Sequence, residues 1–189
     1  MVGIYMEATV TLRQVKTVAD YMRLDEGTPV QLIGGEFIMS PSPATQHQRI
    51  SRFLFWRLAE LTELKHLGEV FTAPLDVHIS KSDVYQPDIL FVSNEHSGYI
   101  EEDGIHGPPD IVIEILSKRT AGFDLLLKKD AYEAFGVREY WIVDPMQKTV
   151  ECFLNSPKGY ESFFVGSSGK ACSTVLPEFC VDVAKIFVS

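Results

Sequence analysis

The sequence predicts an α/β fold in which a mixed central β-sheet is flanked by helices. Three patterns carry that prediction. Between Ala44 and about Leu67, the residues Ile50, Phe53, Leu54, Leu58, Leu61 and Leu64 recur at three- and four-residue steps, the period of a helix face. Residues 110–116, DIVIEIL, form a near-continuous apolar run, the mark of a strand buried on both faces. Short β-rich pieces broken by Pro and Gly surround these two elements, and a second helical stretch follows the apolar run. With 189 residues and neither an internal repeat nor a low-complexity tract, the chain reads as one domain over 1–189.

Taken in order, Thr17 is placed to cap a short helix through about Arg23, closed by Asp25-Glu26-Gly27. Residues 29–39, PVQLIGGEFIM, read as strand with a turn or bulge at Gly34-Gly35. Pro41-Ser42-Pro43 is a loop before the long helix, which Gly68 is expected to end. Residues 69–79 hold two short β pieces around Pro74, and Pro87 opens a strand over Asp88-Ile89-Leu90-Phe91-Val92. Residues 93–108 read as a polar loop. After DIVIEIL comes a helix from about Phe123 to Phe135, then a strand at 138–144, REYWIVD, stopped by Asp144-Pro145 and carrying Tyr140 and Trp141 in the core. Residues 149–154 and 159–165 suggest a hairpin around Asn155-Ser156-Pro157, and 172–189 a mix of strand and short helix.

Composition is that of a soluble globular protein, 46% hydrophobic and 23% charged, with no apolar run of membrane-spanning length. The opening MVGIYMEATVTLRQV lacks the pattern of a signal peptide. Cys152, Cys172 and Cys180 are odd in number and lack metal-type spacing, so free thiols in a reducing compartment, the cytoplasm, are expected. The net charge of −9 argues against a protein that grips a duplex through a broad basic face. Any nucleic-acid contact needs a local basic patch and has modest affinity. Lys118 and Arg119 with Arg49 and Arg52 are candidates for that patch, or else scattered surface charges.

The chemistry-bearing oddity is Glu114, a carboxylate inside DIVIEIL with Ile on each side. Burying it is unfavourable unless it is paired, hydrogen-bonded or metal-bound. Strand alternation puts Asp110, Val112, Glu114 and Leu116 on one face. Asp88 stands at the mouth of its own strand and approaches Glu114 if the two strands pair. Two hard anionic oxygen donors side by side call for a hard cation between them. On the helix that follows, Asp124, Lys128, Ala131, Tyr132 and Phe135 share a face, which turns Lys128 inward while Lys129 points about 100° away. Blander readings stand beside these: Asp88 as a turn cap, Glu114 and Lys128 as a buried ion pair, Lys128 reaching out to solvent.

The segments PDILFV, GPPDIVIEILS and DLLLKKDAYEAFGVREYWIVDP, with the earlier QLIGGEFIMSPSPATQHQR, resemble the Uma-two family of restriction-endonuclease-like proteins from about Thr17 onward. The resemblance implies a PD-(D/E)XK nuclease core that binds Mg²⁺, with Mn²⁺ as a substitute, and hydrolyses phosphodiesters. It puts Asp88 at the motif's Asp and Glu114 at its (D/E), the two metal ligands. Where that motif has Lys, this chain has Leu116, with Lys118 two residues further. The resemblance moves the lysine's role to Lys128 on the following helix.

Three further residues have two readings each. Glu36 adds a carboxylate to the site or is an exposed strand residue. His47, at the start of the long helix, supports the site as a donor or is a solvated or capping residue. Ser117 hydrogen-bonds near the site or caps the next loop. Three functions follow. The first is a Mg²⁺-dependent endonuclease acting on DNA, with a main-chain carbonyl beside Glu114 as an extra ligand. The second is a non-catalytic module for protein–protein or homodimer contact, using Phe55 and Trp56 beside the main stripe of the long helix. The third is a metal-dependent hydrolase of a small phosphorylated substrate.

Overall fold

A computed structural model describes residues 15–40, 42–117 and 123–188, with the backbone alone at 123–125. The chain runs through helix α1 (Val18–Tyr21), strands β1 (Val30–Ile33) and β2 (Glu36–Met39), and helix α2 (Thr45–Lys65). Strands β3 (Gly68–Thr72), β4 (Val77–Ser80), β5 (Asp83–Tyr85) and β6 (Ile89–Ser93) follow. A 3-10 turn (Asn94–Tyr99) leads into the small pair β7 (Ile100–Glu101) and β8 (Gly104–Ile105), then β9 (Ile111–Ile115). Helix α3 (Phe123–Phe135) is followed by β10 (Glu139–Asp144), β11 (Thr149–Ser156) and β12 (Gly159–Gly166). The chain closes with β13 (Lys170–Cys172), β14 (Cys180–Asp182) and helix α4 (Val183–Ile186).

The central sheet has the order β12-β11-β10-β9-β6-β3. It is mixed: β9 and β10 are parallel, joined through α3, and the other neighbours are antiparallel. Its strands bury side chains on both faces, as the apolar run of β9 requires. Ile111, Ile113 and Ile115 pack towards Ile50, Leu54 and Leu58 of α2, while Val112 packs towards Tyr132 of α3. Tyr140 and Trp141 are fully buried, and the Asp144 carboxylate accepts from the amides of Met146 and Gln147, which turns the chain after β10.

Several expectations are corrected. The small strands form a second six-stranded sheet, β2-β1-β5-β4-β8-β7, rather than joining the central one. It lies across the α3 face, where Ile33, Val77, Tyr85 and Ile105 share a core with Leu90, Val112 and Tyr132. The loop at 93–108 contains the 3-10 turn and the β7-β8 pair. His66, in the left-handed region with φ 53°, ends α2 in place of Gly68. Gly68 opens β3 instead, and a Cβ there would meet the Val92 carbonyl oxygen at 2.2 Å. Cys172 and Cys180 are not free thiols. Pairing of β13 with β14 sets them opposite each other, Cα atoms 4.0 Å apart, and they form a disulfide. Only Cys152 of the three is free, and it is buried. The cysteines therefore no longer argue for a reducing compartment. Among the described residues no helix is long and apolar enough to cross a membrane.

Candidate active site

The candidate site lies where β6 and β9 meet, between the first turn of α2 and the middle of α3. The antiparallel register pairs Ile89 with Ile113, so one step further Asp88 stands opposite Glu114. The Asp88 carboxylate accepts from the Ile115 amide at 2.7 Å through Oδ2. The same oxygen lies 3.2 Å from Nε2 of His47. His47 is held there by helix phase: it precedes Ile50, Leu54 and Leu58 on the buried face of α2.

Glu114 is buried, 8% exposed, and so is Lys128 at 7%. Lys128 Nζ lies 3.0 Å from Glu114 Oε1, and the Tyr132 hydroxyl donates to that same oxygen at 3.0 Å. Both of these hydrogen bonds fall on Oε1. Lys128 and Tyr132 are four apart on α3, so one helix face delivers both. Lys129 turns away and sets its ammonium 3.8 Å from the centre of the Phe153 ring.

The Asp88 charge acts on both Glu114 and the His47 imidazole. Burial pushes the Glu114 carboxyl above its ordinary range, Lys128 pulls it back, and the Asp88 charge pushes it up again. Burial alone lowers His47, but the hydrogen bond to Asp88 and the charges of Asp88 and Glu114 outweigh it, so the imidazole is raised.

Of the sequence-derived candidates, Asp88, Glu114, Lys128 and His47 meet. Ser117 lies two residues beyond the end of β9, half-buried. Glu36 is exposed at the first residue of β2, an edge strand of the second sheet. Among the described residues it is not a partner of Asp88 or Glu114. Leu116 donates its amide to the Val143 carbonyl as the backbone leaves β9. Lys118, Arg119 and the side chain of Asp124 lie outside the described residues. Arg49 and Arg52 are exposed on α2. Sequence reasoning put Tyr132 in the core but missed its bond to Glu114; its four-residue spacing from Lys128 was the available signal. It also left the direct contact of His47 with Asp88 unread.

Comparison with known proteins places the chain in a family and a fold. The family Uma2, described as "Putative restriction endonuclease", matches residues 18–184. The chain belongs to the Uma2 family. A relative from Synechocystis sp. (strain ATCC 27184 / PCC 6803 / Kazusa), named "Uncharacterized protein sll1609", is 26% identical over 146 residues, 75% of this chain and 82% of its own length. The crystal structure of a "putative nuclease belonging to DUF820" from Anabaena variabilis ATCC 29413 is similar at 20% identity, with a TM-score of 0.74 over 90% of this chain and 97% of that one. At that identity the likeness shows a shared fold. The Uma2 family description points to a nuclease-like function.

Proposed function

We propose that this Uma2 protein is a Mg²⁺-dependent endonuclease that hydrolyses phosphodiester bonds in DNA. One observation carries the reading: among the described residues, two adjoining carboxylates, Asp88 and Glu114, each keep one oxygen outside the hydrogen bonds that fix the other. Such a pair of hard, mutually repelling oxygen donors suits a hard divalent cation, Mg²⁺ or Mn²⁺. Burial first, and the Asp88 charge in addition, raise the Glu114 carboxyl, and a cation held between the two would relieve both. Asp88 and Glu114 would hold the ion, with a main-chain carbonyl beside Glu114 as a further donor. When bound, it lowers the pKa of a coordinated water and offsets charge on the scissile phosphate.

The protein's own groups do the positioning. Lys128 and Tyr132 fix Glu114 through Oε1 and so aim Oε2. The Ile115 amide and His47 fix Asp88 in the same way. Lys128, the one buried cation of the group, takes the part of the motif's lysine from α3, orienting water or offsetting charge as the phosphorus–oxygen bond breaks. The acidic balance of −9 means that duplex contact rests on local cations and is modest.

Titration calorimetry of Mg²⁺ and Mn²⁺, paired with cleavage of duplex, single-stranded and mononucleotide substrates, tests the reading. Wild type is expected to bind the ion and cut DNA, and a variant with Asp88→Asn and Glu114→Gln to do neither. Cleavage retained by that variant overturns the assignment. A second reading, a contact module without catalysis, draws on the −9 charge and on Trp56, which is 64% exposed on α2. It gains if the wild type binds no ion at millimolar concentrations and forms a dimer that Trp56→Ala dissociates.

A further inference from the structure

A second group of metal-type side chains lies on the other sheet and has no part in the site above. His78 is on β4, and Asp103 and His106 flank β8. One ring nitrogen from each histidine and one Asp103 oxygen all lie within 4.8 Å of one another.

The arrangement follows from strand register. β4 and β8 are parallel, bridged at Val77 and Ile105, so His78 and His106 are the next pair along. Val77 and Ile105 point into the core shared with Tyr132; alternation therefore sends both histidines to the opposite face of the sheet. Gly104 allows the strands to close up, since a Cβ there would meet the Asp76 carbonyl oxygen at 2.5 Å. The tight turn then returns Asp103 to His106, with Oδ1 2.8 Å from Nε2.

We propose that His78, Asp103 and His106 form a binding site for a borderline divalent transition metal such as Zn²⁺, Co²⁺ or Ni²⁺. Two imidazoles and a carboxylate are a donor set for those ions rather than for Mg²⁺, which takes oxygen ligands and keeps its waters. A surface ion pair between Asp103 and His106 does not account for His78. Its ring stacks on His106 with centroids 4.1 Å apart and planes 15° from parallel. Its Nε2 is buried and has no hydrogen-bond partner among the described residues. An unbonded buried ring nitrogen is unfavourable, and a metal would use its lone pair. Parallel rings cannot both hold one ion in plane, so binding turns a ring. His106, its side chain 31% exposed, has the room to turn. Ligands on one such ion lie about 3–4 Å apart given bonds of about 2.0–2.2 Å, a distance that this rotation reaches. The bound ion would pin the β7-β8 pair, which is otherwise tied to β4 through one bridge, onto the second sheet.

The test is Zn²⁺ binding by equilibrium dialysis and Co²⁺ binding by visible absorption, on the full chain. Three proteins are compared: wild type, His78→Asn with His106→Asn, and Asp88→Asn with Glu114→Gln. The expected result is that the histidine variant binds one equivalent less than wild type, while the carboxylate variant keeps that equivalent and its Co²⁺ spectrum. Equal stoichiometry in wild type and histidine variant overturns the proposal, and does so without bearing on the nuclease reading. Should the histidine variant fail to fold, Asp103→Asn, an exposed turn substitution, serves instead. It is expected to weaken Zn²⁺ binding by about tenfold or more, and an unchanged affinity overturns the proposal.

Discussion

Strand β9 and its leading residue carry two carboxylates on one face, at Asp110 and Glu114, and the fold treats them in opposite ways. Asp110 is fully buried and saturated. It takes the Ser93 amide at 2.8 Å, the His96 ring at 3.0 and 3.1 Å and the Arg138 guanidinium at 2.9 Å. Burial raises its pKa, but those donors outweigh burial and hold it below the ordinary 3.8. Glu114 is buried too, yet among the described residues both of its donors crowd one oxygen, and an anion stands beside it. Its carboxyl is pushed above the ordinary 4.5. A carboxylate satisfied on every side fastens a loop to a sheet. One satisfied on a single side, as Glu114 is among the described residues, keeps an oxygen that no such donor fixes.

The largest expected effect separates the two by activity. Glu114→Gln keeps the shape and can still accept from Lys128 and Tyr132, so folding is expected to survive. Metal-dependent DNA cleavage is expected to fall by more than about a hundredfold. Asp110→Asn is expected to show the reverse. It weakens three charge-assisted contacts and should lower unfolding stability by about 2–3 kcal/mol in urea titration, with cleavage per folded molecule unchanged. Equal losses of activity in the two variants would erase the distinction.

The difference between these residues was half legible. A charge inside DIVIEIL announced itself, and helix phase turned Lys128 inward with Tyr132 because both rules act over a few residues. His47 shares the phase of Ile50 and Leu54, so its inward aim was readable, although its partner Asp88 was not. The Asp110 cluster was hidden because His96 and Arg138 come from separate segments that only the folded sheet brings together. The second sheet was hidden for the same reason. Its strands are two to four residues long, too short for a period to show, and β1 finds its partner β5 from about fifty residues away. Cys172 and Cys180 looked unpaired for want of the β13-β14 register.

Acid dependence sharpens the comparison further. A depressed carboxyl such as Asp110 contributes stability above its unfolded pKa of about 3.9 and loses it as pH falls through the lower folded value. A raised one such as Glu114 has the opposite sign. It carries no penalty below its unfolded pKa of about 4.3, and its ionisation increasingly disfavours the native state as pH rises through the higher folded value. The stability of wild type minus Asp110→Asn is therefore expected to drop below about pH 4. That of wild type minus Glu114→Gln is expected to fall as pH climbs above about 4.3. Urea midpoints measured across this range check both slopes, and slopes of the same sign would remove the contrast.

Tyr132→Phe is a smaller perturbation. It deletes one of the two donors on Oε1 and leaves Lys128 in place. Stability is expected to fall by about 1 kcal/mol. Cleavage is expected to fall only a few-fold, because the ligand oxygen remains but is less firmly aimed. The pH at which cleavage rises should also move upward, since the lost hydrogen bond favoured ionised Glu114. A pH–rate profile reads that movement, which a merely structural tyrosine would not produce.

The smallest effect belongs to a third carboxylate, Glu36. Its side chain is exposed on an edge strand, and it bonds neither Asp88 nor Glu114. That exposure sets it apart from the buried Asp110 and Glu114. Glu36→Ala is expected to change stability by less than about 0.5 kcal/mol and leave Mg²⁺ binding and cleavage at wild-type levels. Loss of cleavage at unchanged stability would mean that substrate or metal draws β2 into the site. Glu36 would then join Asp88 and Glu114 as a functional carboxylate.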